Sequence, residues 1–170
     1  MRVWQIVGFK KTGKTTLLVR LTESFASAGN RVGTIKHDGH DFEPDVPGTD
    51  SWKHRQAGAA ATAVVSSRRT AWFEQRSREL PFLVERMAPE VDLILVEGWK
   101  TERYPKLVLI HAEEHIAALS GVPAVAAAVT WNPSLRARLE AAWGRSFDFD
   151  DVEAIAKFLT ERKEGGGERR

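Results

Sequence analysis

The sequence predicts an α/β fold with a mostly parallel central sheet flanked by helices and a small β-hairpin extension. Short β-prone runs alternate with amphipathic helical stretches, the order that produces parallel sheets. The first run leads into Gly8-Phe9-Lys10-Lys11-Thr12-Gly13-Lys14-Thr15, which matches G-x-x-x-x-G-K-[ST] at every fixed position. Residues 91–96 are apolar except for one aspartate, as expected of a strand covered on both faces. Together these observations predict a P-loop NTPase fold.

The first third of the chain predicts a strand–helix–strand unit. Residues 3–7 form a β-prone run, and residues 14–28 repeat apolar side chains at helical spacing. Residues 31–37 read as a second strand, because a Gly-Asn pair has ended the helix before them. The unit is therefore expected to be parallel, with a right-handed crossover.

The middle of the chain predicts an irregular acidic segment followed by a hairpin. Residues 38–50 carry five acidic side chains among prolines and glycines, so they are expected to form no regular element. Asp50 or Ser51 is expected to cap a short helix. Residues 62–67 and 70–75 are β-prone and joined by a tight turn, which predicts the hairpin.

The second half predicts three strands and three helices. Strands are expected at residues 91–96, 106–110 and 124–130, and helices at residues 79–87, 134–142 and 152–163. An Asp150-x-x-Glu153 capping box is expected to start the last helix. Residues 1–164 are expected to form a single nucleotide-binding domain, and residues 165–170 a disordered tail.

Composition excludes several classes of protein. With 170 residues and no cysteine, the chain fits one domain of about 150 residues and has no disulfide, zinc-finger, iron–sulfur or cysteine-nucleophile chemistry. No apolar run approaches the roughly 18 residues of a membrane span, and the N-terminus does not fit a signal peptide. A net charge of +2 gives no support to nucleic-acid binding. We expect a cytoplasmic protein without a nucleic-acid or membrane partner.

The motif residues have chemical reasons to bind phosphate. Gly8 and Gly13 let the backbone curl around an anion, and the amide groups at the helix N-terminus supply positive potential. Lys14 places a point charge near the β- and γ-phosphates, and the Thr15 hydroxyl is expected to ligate Mg²⁺. Thr16 is expected to add a hydroxyl near the α-phosphate.

Acidic partners are expected at the ends of neighbouring strands. Glu97 follows the apolar strand and has two possible roles, either a group of the metal site or a base that orients water. The simpler alternative is a carboxylate that caps nearby amides. Gly98 is expected to permit close backbone approach to phosphate. Asp38 and Asp50 are metal or water candidates if residues 38–50 lie beside the γ-phosphate, and the alternative is a solvated acidic loop.

Other readings remain open at this level. The chain lacks the Asn-Lys-x-Asp segment of well-known GTPases, having Trp131-Asn132-Pro133-Ser134 after its late strand. The residues therefore indicate a nucleoside triphosphate without separating ATP from GTP. A small-molecule or nucleoside kinase is the alternative, with a lid built from the arginines of residues 68–78. A metal chaperone using His37, His40 and His54 is weaker.

Several segments in their order resemble the MobB family, the molybdopterin-guanine dinucleotide biosynthesis adaptor proteins. They are residues 8–16, Thr34-Ile35-Lys36-His37-Asp38, Pro47-Gly48-Thr49-Asp50-Ser51, Ala57-Gly58-Ala59, Leu93-Ile94-Leu95-Val96-Glu97-Gly98-Trp99-Lys100 and Pro105-Lys106. The resemblance covers residues 1 to about 160. It implies a homodimer that binds GTP and Mg²⁺, hydrolyses GTP slowly, and works beside the guanylyltransferase that joins GMP to molybdopterin.

The resemblance also implies site residues. Nucleotide contacts carry over to Gly8, Lys11, Thr12, Gly13, Lys14, Thr15, Thr16, Glu97 and Gly98, and more loosely to His37. Thr15 and Glu97 are the implied metal site, and Glu97 and Asp50 are the candidate catalytic residues.

Overall fold

The computed structural model describes residues 1–39 and 41–161, which form two compact units. The larger unit contains residues 1–37 and the chain from Leu80 onward, and the smaller unit is Asp38–Glu79. The tail expected at residues 165–170 lies outside the described residues, and the single domain over residues 1–164 stays a prediction.

The strands and the helices are each numbered in chain order. The strands are β1 (Arg2–Gly8), β2 (Val32–Lys36), β3 (Ala61–Val65), β4 (Thr70–Glu74), β5 (Leu93–Glu97), β6 (Lys106–Ile110), β7 (Val125–Thr130) and β8 (Ser146–Asp148). The helices are α1 (Lys14–Ser27), α2 (Asp50–Gln56), α3 (Leu80–Met87), α4 (Glu114–Leu119), α5 (Arg136–Trp143) and α6 (Val152–Glu161). Among the described residues, no helix is long and apolar enough to cross a membrane.

The larger unit is built on a six-stranded sheet in the order β2-β5-β1-β6-β7-β8. Every neighbouring pair in it is parallel, which confirms the predicted α/β sheet. Strand β5 is buried along its whole length and lies between β1 and β2, as its apolar run predicted. Because the strands run in one direction, the carboxyl ends of β1, β2 and β5 meet at one edge.

Apolar residues of the sheet alternate between its two faces, as side chains of a strand must. Trp4 and Ile6 join a core cluster with residues of α1 and α6. Val7, on the other face, packs with residues of α5, and Val3 packs with residues of α3. Helices therefore cover both faces of the sheet and fix the position of the loops at its edge.

The smaller unit contains the predicted hairpin and short helix. Strands β3 and β4 pair antiparallel, which confirms the hairpin. The cap expected at Asp50 or Ser51 is wrong, because the Thr49 side chain accepts the amide of Trp52. Thr49 has the extended backbone that a capping residue needs, whereas Asp50 already lies in the helix.

One expectation in the C-terminal part is also corrected, and two short elements are added to the prediction. The cap of α6 is Asp151, whose carboxylate accepts the amide of Ala154 at 3.1 Å, rather than Asp150. The Asp150 carboxylate instead binds Arg20 of α1 at 2.9 Å. Strand β8 and helix α4 were not predicted, since three and six residues carry too little periodicity to be recognised.

Candidate functional site

The site is built where the predicted strand ends converge. In the register of the sheet, Ile6 of β1 and Lys36 of β2 both lie opposite Glu97 of β5. The phosphate loop that follows β1, the residue after β2 and the turn after β5 therefore leave the sheet at one edge. This is the edge at which ligands bind in open α/β sheets.

The phosphate loop is closed by its own side chains. The Thr12 hydroxyl donates to the carbonyl of Phe9 at 2.8 Å, and the Lys14 ammonium donates to the same carbonyl at 2.7 Å. Lys11 adopts a positive φ of 61°, which curls the backbone between them. Thr12 is buried, so its hydroxyl is placed to hold the loop in shape. The Lys14 ammonium rests on a protein carbonyl that a phosphate oxygen can replace.

Gly13 is required for two physical reasons. Its φ is 70°, in the left-handed region that glycine adopts without penalty. A Cβ at this position would also lie 2.6 Å from the ring of Trp131 and 3.2 Å from that of Phe149. Those two rings stack with centroids 3.9 Å apart. An aromatic pair from distant parts of the chain therefore packs directly on the loop, and the sequence motif alone did not indicate it.

The structure brings together the two predicted metal-site residues. The Thr15 hydroxyl donates to Glu97 Oε2 at 2.9 Å. Thr15 lies in the exposed first turn of α1 with Thr16, whereas Glu97 is 8% exposed at the end of β5. A hydroxyl and a carboxylate oxygen side by side are the hard donors that Mg²⁺ prefers. The donor set therefore fits this metal.

The turn after β5 is strained and tightly packed. Gly98 and Trp99 have φ angles of 102° and 51°, and a Cβ on Gly98 would lie 2.9 Å from that of His37. The His37 amide donates to the carbonyl of Glu97 at 2.9 Å. The His37 ring lies 4.6 Å from that of Trp99. Gly98 and His37 therefore pack against each other at this edge of the sheet.

Gln5 holds this turn in place. Its side-chain amide donates to the carbonyls of Gly98 at 2.9 Å and Trp99 at 2.7 Å, and the residue is fully buried. Sequence reasoning missed this role, although a polar residue in the middle of Val-Trp-Gln-Ile-Val was a visible signal. A buried amide in an apolar strand must have a polar partner.

Burial and neighbouring charges of both signs act on the Lys14 ammonium. Burial is the main cause that lowers the pKa of Lys14, and the neighbouring charges of Lys100 and Lys36 lower it further. Glu97 acts in the opposite direction and raises it. Two cations and one carboxylate therefore surround the Lys14 ammonium. Binding a phosphate there would relieve the repulsion between like charges.

Several other candidate residues belong to the smaller unit. Asp50 belongs to the smaller unit, where its carboxylate lies 3.2 Å from the Lys53 ammonium, so its catalytic role stays a prediction. Arg76 and Arg78 both bind Glu74 rather than forming a helical lid. Among the described residues no group of three histidines or acids is arranged to hold a metal, and His40 lies outside them.

The comparisons with known proteins agree with the motif order. The family model described as "Molybdopterin guanine dinucleotide synthesis protein B" matches residues 3–131. The chain belongs to the MobB family. It is 41% identical, over 88% of its length and 86% of the relative's, to a molybdopterin-guanine dinucleotide biosynthesis adapter protein of Escherichia coli.

Solved MobB structures share the fold. A Bacillus subtilis MobB structure superposes with a TM-score of 0.79 at 31% identity, covering 96% of this chain and 99% of that one. A MobB homologue from Bacillus stearothermophilus gives a TM-score of 0.72 at 33% identity, with 94% and 96% covered. These likenesses span nearly the full chain, so they include the phosphate loop and the turn after β5.

Proposed function

We propose that this protein is a GTP-binding adaptor of molybdenum cofactor biosynthesis that holds GTP and Mg²⁺ at the phosphate loop. The observation that carries the proposal is the meeting of Lys14, Thr15 and Glu97 at the edge of a parallel sheet. Membership of the MobB family supports the pathway. The choice of GTP over ATP rests on the family resemblance.

Each loop residue has a proposed role in binding. The backbone amides of residues 8–16 cradle the phosphates, and the Lys14 ammonium exchanges the carbonyl of Phe9 for a phosphate oxygen. Thr15 and Glu97 hold the metal, and bound Mg²⁺ would neutralise charge on the β- and γ-phosphates. Because the Glu97 carboxylate is already engaged by Thr15, we assign it to the metal rather than to a base. We therefore expect slow hydrolysis.

The adaptor role concerns partners outside the chain. We propose that the protein acts with the guanylyltransferase that joins GMP to molybdopterin, as a cytoplasmic homodimer. The printed name of the Escherichia coli relative, an adapter protein of this pathway, supports it. The expected measurement is faster formation of molybdopterin guanine dinucleotide by the guanylyltransferase when this protein is added. An unchanged rate, with nucleotide binding intact, would reject the adaptor role, and sedimentation velocity would test the homodimer.

Titration calorimetry with GTP and ATP, each with and without Mg²⁺, tests nucleotide binding. Lys14→Ala should weaken GTP binding by about 100-fold, because a charge-assisted contact to phosphate is lost. Lys157→Ala is the matched control, since that lysine is exposed on α6 and should bind as the wild type does. The absence of saturable binding to the wild type, or an unchanged affinity in Lys14→Ala, would refute the proposal.

Replacing Glu97 tests the metal role. Glu97→Gln should lower GTP affinity about tenfold in the presence of Mg²⁺ and leave it nearly unchanged in EDTA, because only the metal contact loses its anionic donor. Glu23→Gln, on the exposed face of α1, is the control. Equal losses with and without Mg²⁺ would show that Glu97 acts on something other than the metal.

A further inference from the structure

Lys100 lies beside the phosphate loop for reasons that can be followed residue by residue. It comes directly after the strained Gly98–Trp99 turn, whose two carbonyls are both bound by the buried amide of Gln5. A non-glycine residue at φ 51°, as Trp99 is, persists only where its surroundings over-determine it. The turn therefore fixes the backbone position from which the Lys100 side chain extends.

The Lys100 side chain contacts the second residue of the phosphate loop. The Lys100 ammonium lies 4.8 Å from the centroid of the Phe9 ring, within the range of a cation–π contact. The carbonyl of the same Phe9 binds the Lys14 ammonium. Lys14 of α1 and Lys100 of the turn after β5 therefore contact one residue of the loop.

The charges at this point are unbalanced. Lys14 contacts the carbonyl of Phe9 and Lys100 contacts its ring, so two positive charges meet at one residue and repel each other. Glu97, the carboxylate at this edge, accepts the Thr15 hydroxyl. A phosphate group bound between the two lysines would turn this repulsion into two attractive contacts.

The order of the sheet indicates which phosphate this would be. Strand β5, which delivers Glu97 and Lys100, lies on one side of β1, whereas β7, which leads to Trp131 and Asn132, lies on the other. Metal ligands mark the β- and γ-phosphates in P-loop proteins. Lys100 follows the metal-site residue Glu97 by three positions, which favours the terminal end of the nucleotide over its base end.

We propose that Lys100 binds the terminal phosphate of the triphosphate and thereby makes the site prefer a triphosphate over a diphosphate. The proposal rests on the nucleotide binding proposed above and assigns a specificity-determining residue to that site. Lys100 acts together with Lys14, and the Gln5-bound turn keeps it in position. The protein would therefore bind GTP in preference to GDP when both are present.

The experiment compares GTP and GDP affinities, both with Mg²⁺, for the wild type, Lys100→Ala, Lys100→Arg and Lys157→Ala. Lys100→Ala should weaken GTP binding by about tenfold and GDP binding by less than about twofold, since one charge-assisted contact is lost only from the triphosphate. Lys100→Arg keeps the charge and should recover part of the GTP affinity. Lys157→Ala should match the wild type.

The outcomes distinguish a failure of the Lys100 proposal from a failure of the nucleotide-binding proposal on which it rests. If the wild type binds neither nucleotide, both proposals fail. If the wild type binds GTP and Lys14→Ala does not, the nucleotide-binding proposal stands. The role of Lys100 is then judged by the ratio of the GTP and GDP affinities of Lys100→Ala. Equal losses for GTP and GDP, or no loss for either, in a Lys100→Ala protein whose circular dichroism matches the wild type would overturn the role of Lys100.

Discussion

The two units of this protein use charged side chains in opposite ways. At the phosphate loop of the larger unit, Lys14 is surrounded by Lys36 and Lys100, which lower its pKa, and by one carboxylate, which raises it. In the smaller unit, arginines are paired with carboxylates of the same unit. The first arrangement needs an anion to become favourable, whereas the second is satisfied within the fold. Lysines that repel one another therefore distinguish the phosphate loop from the paired charges of the smaller unit.

Pairing in the smaller unit is centred on one buried arginine. The side chain of Arg55 is only 6% exposed, binds Glu43, and lies 3.8 Å from Asp45. Its guanidinium also lies 5.4 Å from the centroid of the Phe73 ring. The acidic segment expected to be either solvated or metal-binding is thus anchored on one buried arginine. Glu43 and Asp45 of this segment therefore serve packing, whereas Asp50, the candidate for chemistry, pairs with Lys53.

The largest expected effect comes from replacing Gly13. Gly13→Ala should lower GTP affinity by at least about 100-fold, because the new methyl group meets the Trp131 ring and the backbone must hold a positive φ. Gly144→Ala is the control, since Gly144 has a φ of 78° but nothing within 4 Å of its Cβ position. That variant should lose some stability and bind GTP normally. Normal GTP binding by Gly13→Ala would show that the close packing of the aromatic pair on Gly13 is not needed for binding.

Removing Arg55 tests whether the charges of the smaller unit are structural. Arg55→Met should lower the free energy of unfolding by about 2 kcal/mol, because Glu43 and Asp45 lose a buried partner. Urea denaturation measures this, and Arg69→Ala in the exposed hairpin turn is the control. A stability equal to that of the wild type would mean that the pairing contributes nothing and that the charges of the smaller unit are not structural.

An effect of comparable size is expected from the pH dependence of the buried Lys106. Its ammonium donates to the carbonyls of Glu102 and Tyr104, and burial lowers its pKa to about 8 from 10.5. The folded state therefore releases this proton at lower pH than the unfolded state does. Stability relative to Lys106→Met should rise as the pH increases from about 8 to 10.5, as measured by urea midpoints. A flat difference would contradict the assignment.

Glu74 should show the opposite dependence, with the smallest effect because solvent screens its pairing with Arg76, whose side chain is 66% exposed. Hydrogen bonds from Arg78 and then Arg76 lower its pKa to about 2 from 4.5. Its contribution is present above pH 4.5 and is lost as the pH falls from 4.5 towards 2. The difference in unfolding midpoint between wild type and Glu74→Gln should shrink over that range. A difference that grows on acidification would show that the arginines do not stabilise the carboxylate.

The sequence predicted those parts of the site that depend on local patterns. The phosphate loop, the parallel sheet and the position of Glu97 follow from a motif of eight residues and from runs of apolar side chains. Gln5 and Trp131 were not assigned because their roles arise from contacts across the fold, such as that between Gln5 and Gly98, which are 93 residues apart. The cap of α6 was misplaced because Asp150 and Asp151 are both competent caps, and only the path of the chain selects one.

The contact between Trp131 and Gly13 has a practical consequence. Indole emission depends on the polarity and packing around the ring, and this ring packs against Gly13, the residue directly before Lys14. The protein therefore carries an intrinsic optical probe of its own binding loop. A variant that keeps Trp131 and replaces the other five tryptophans with phenylalanine would report ligand arrival in real time, without a label.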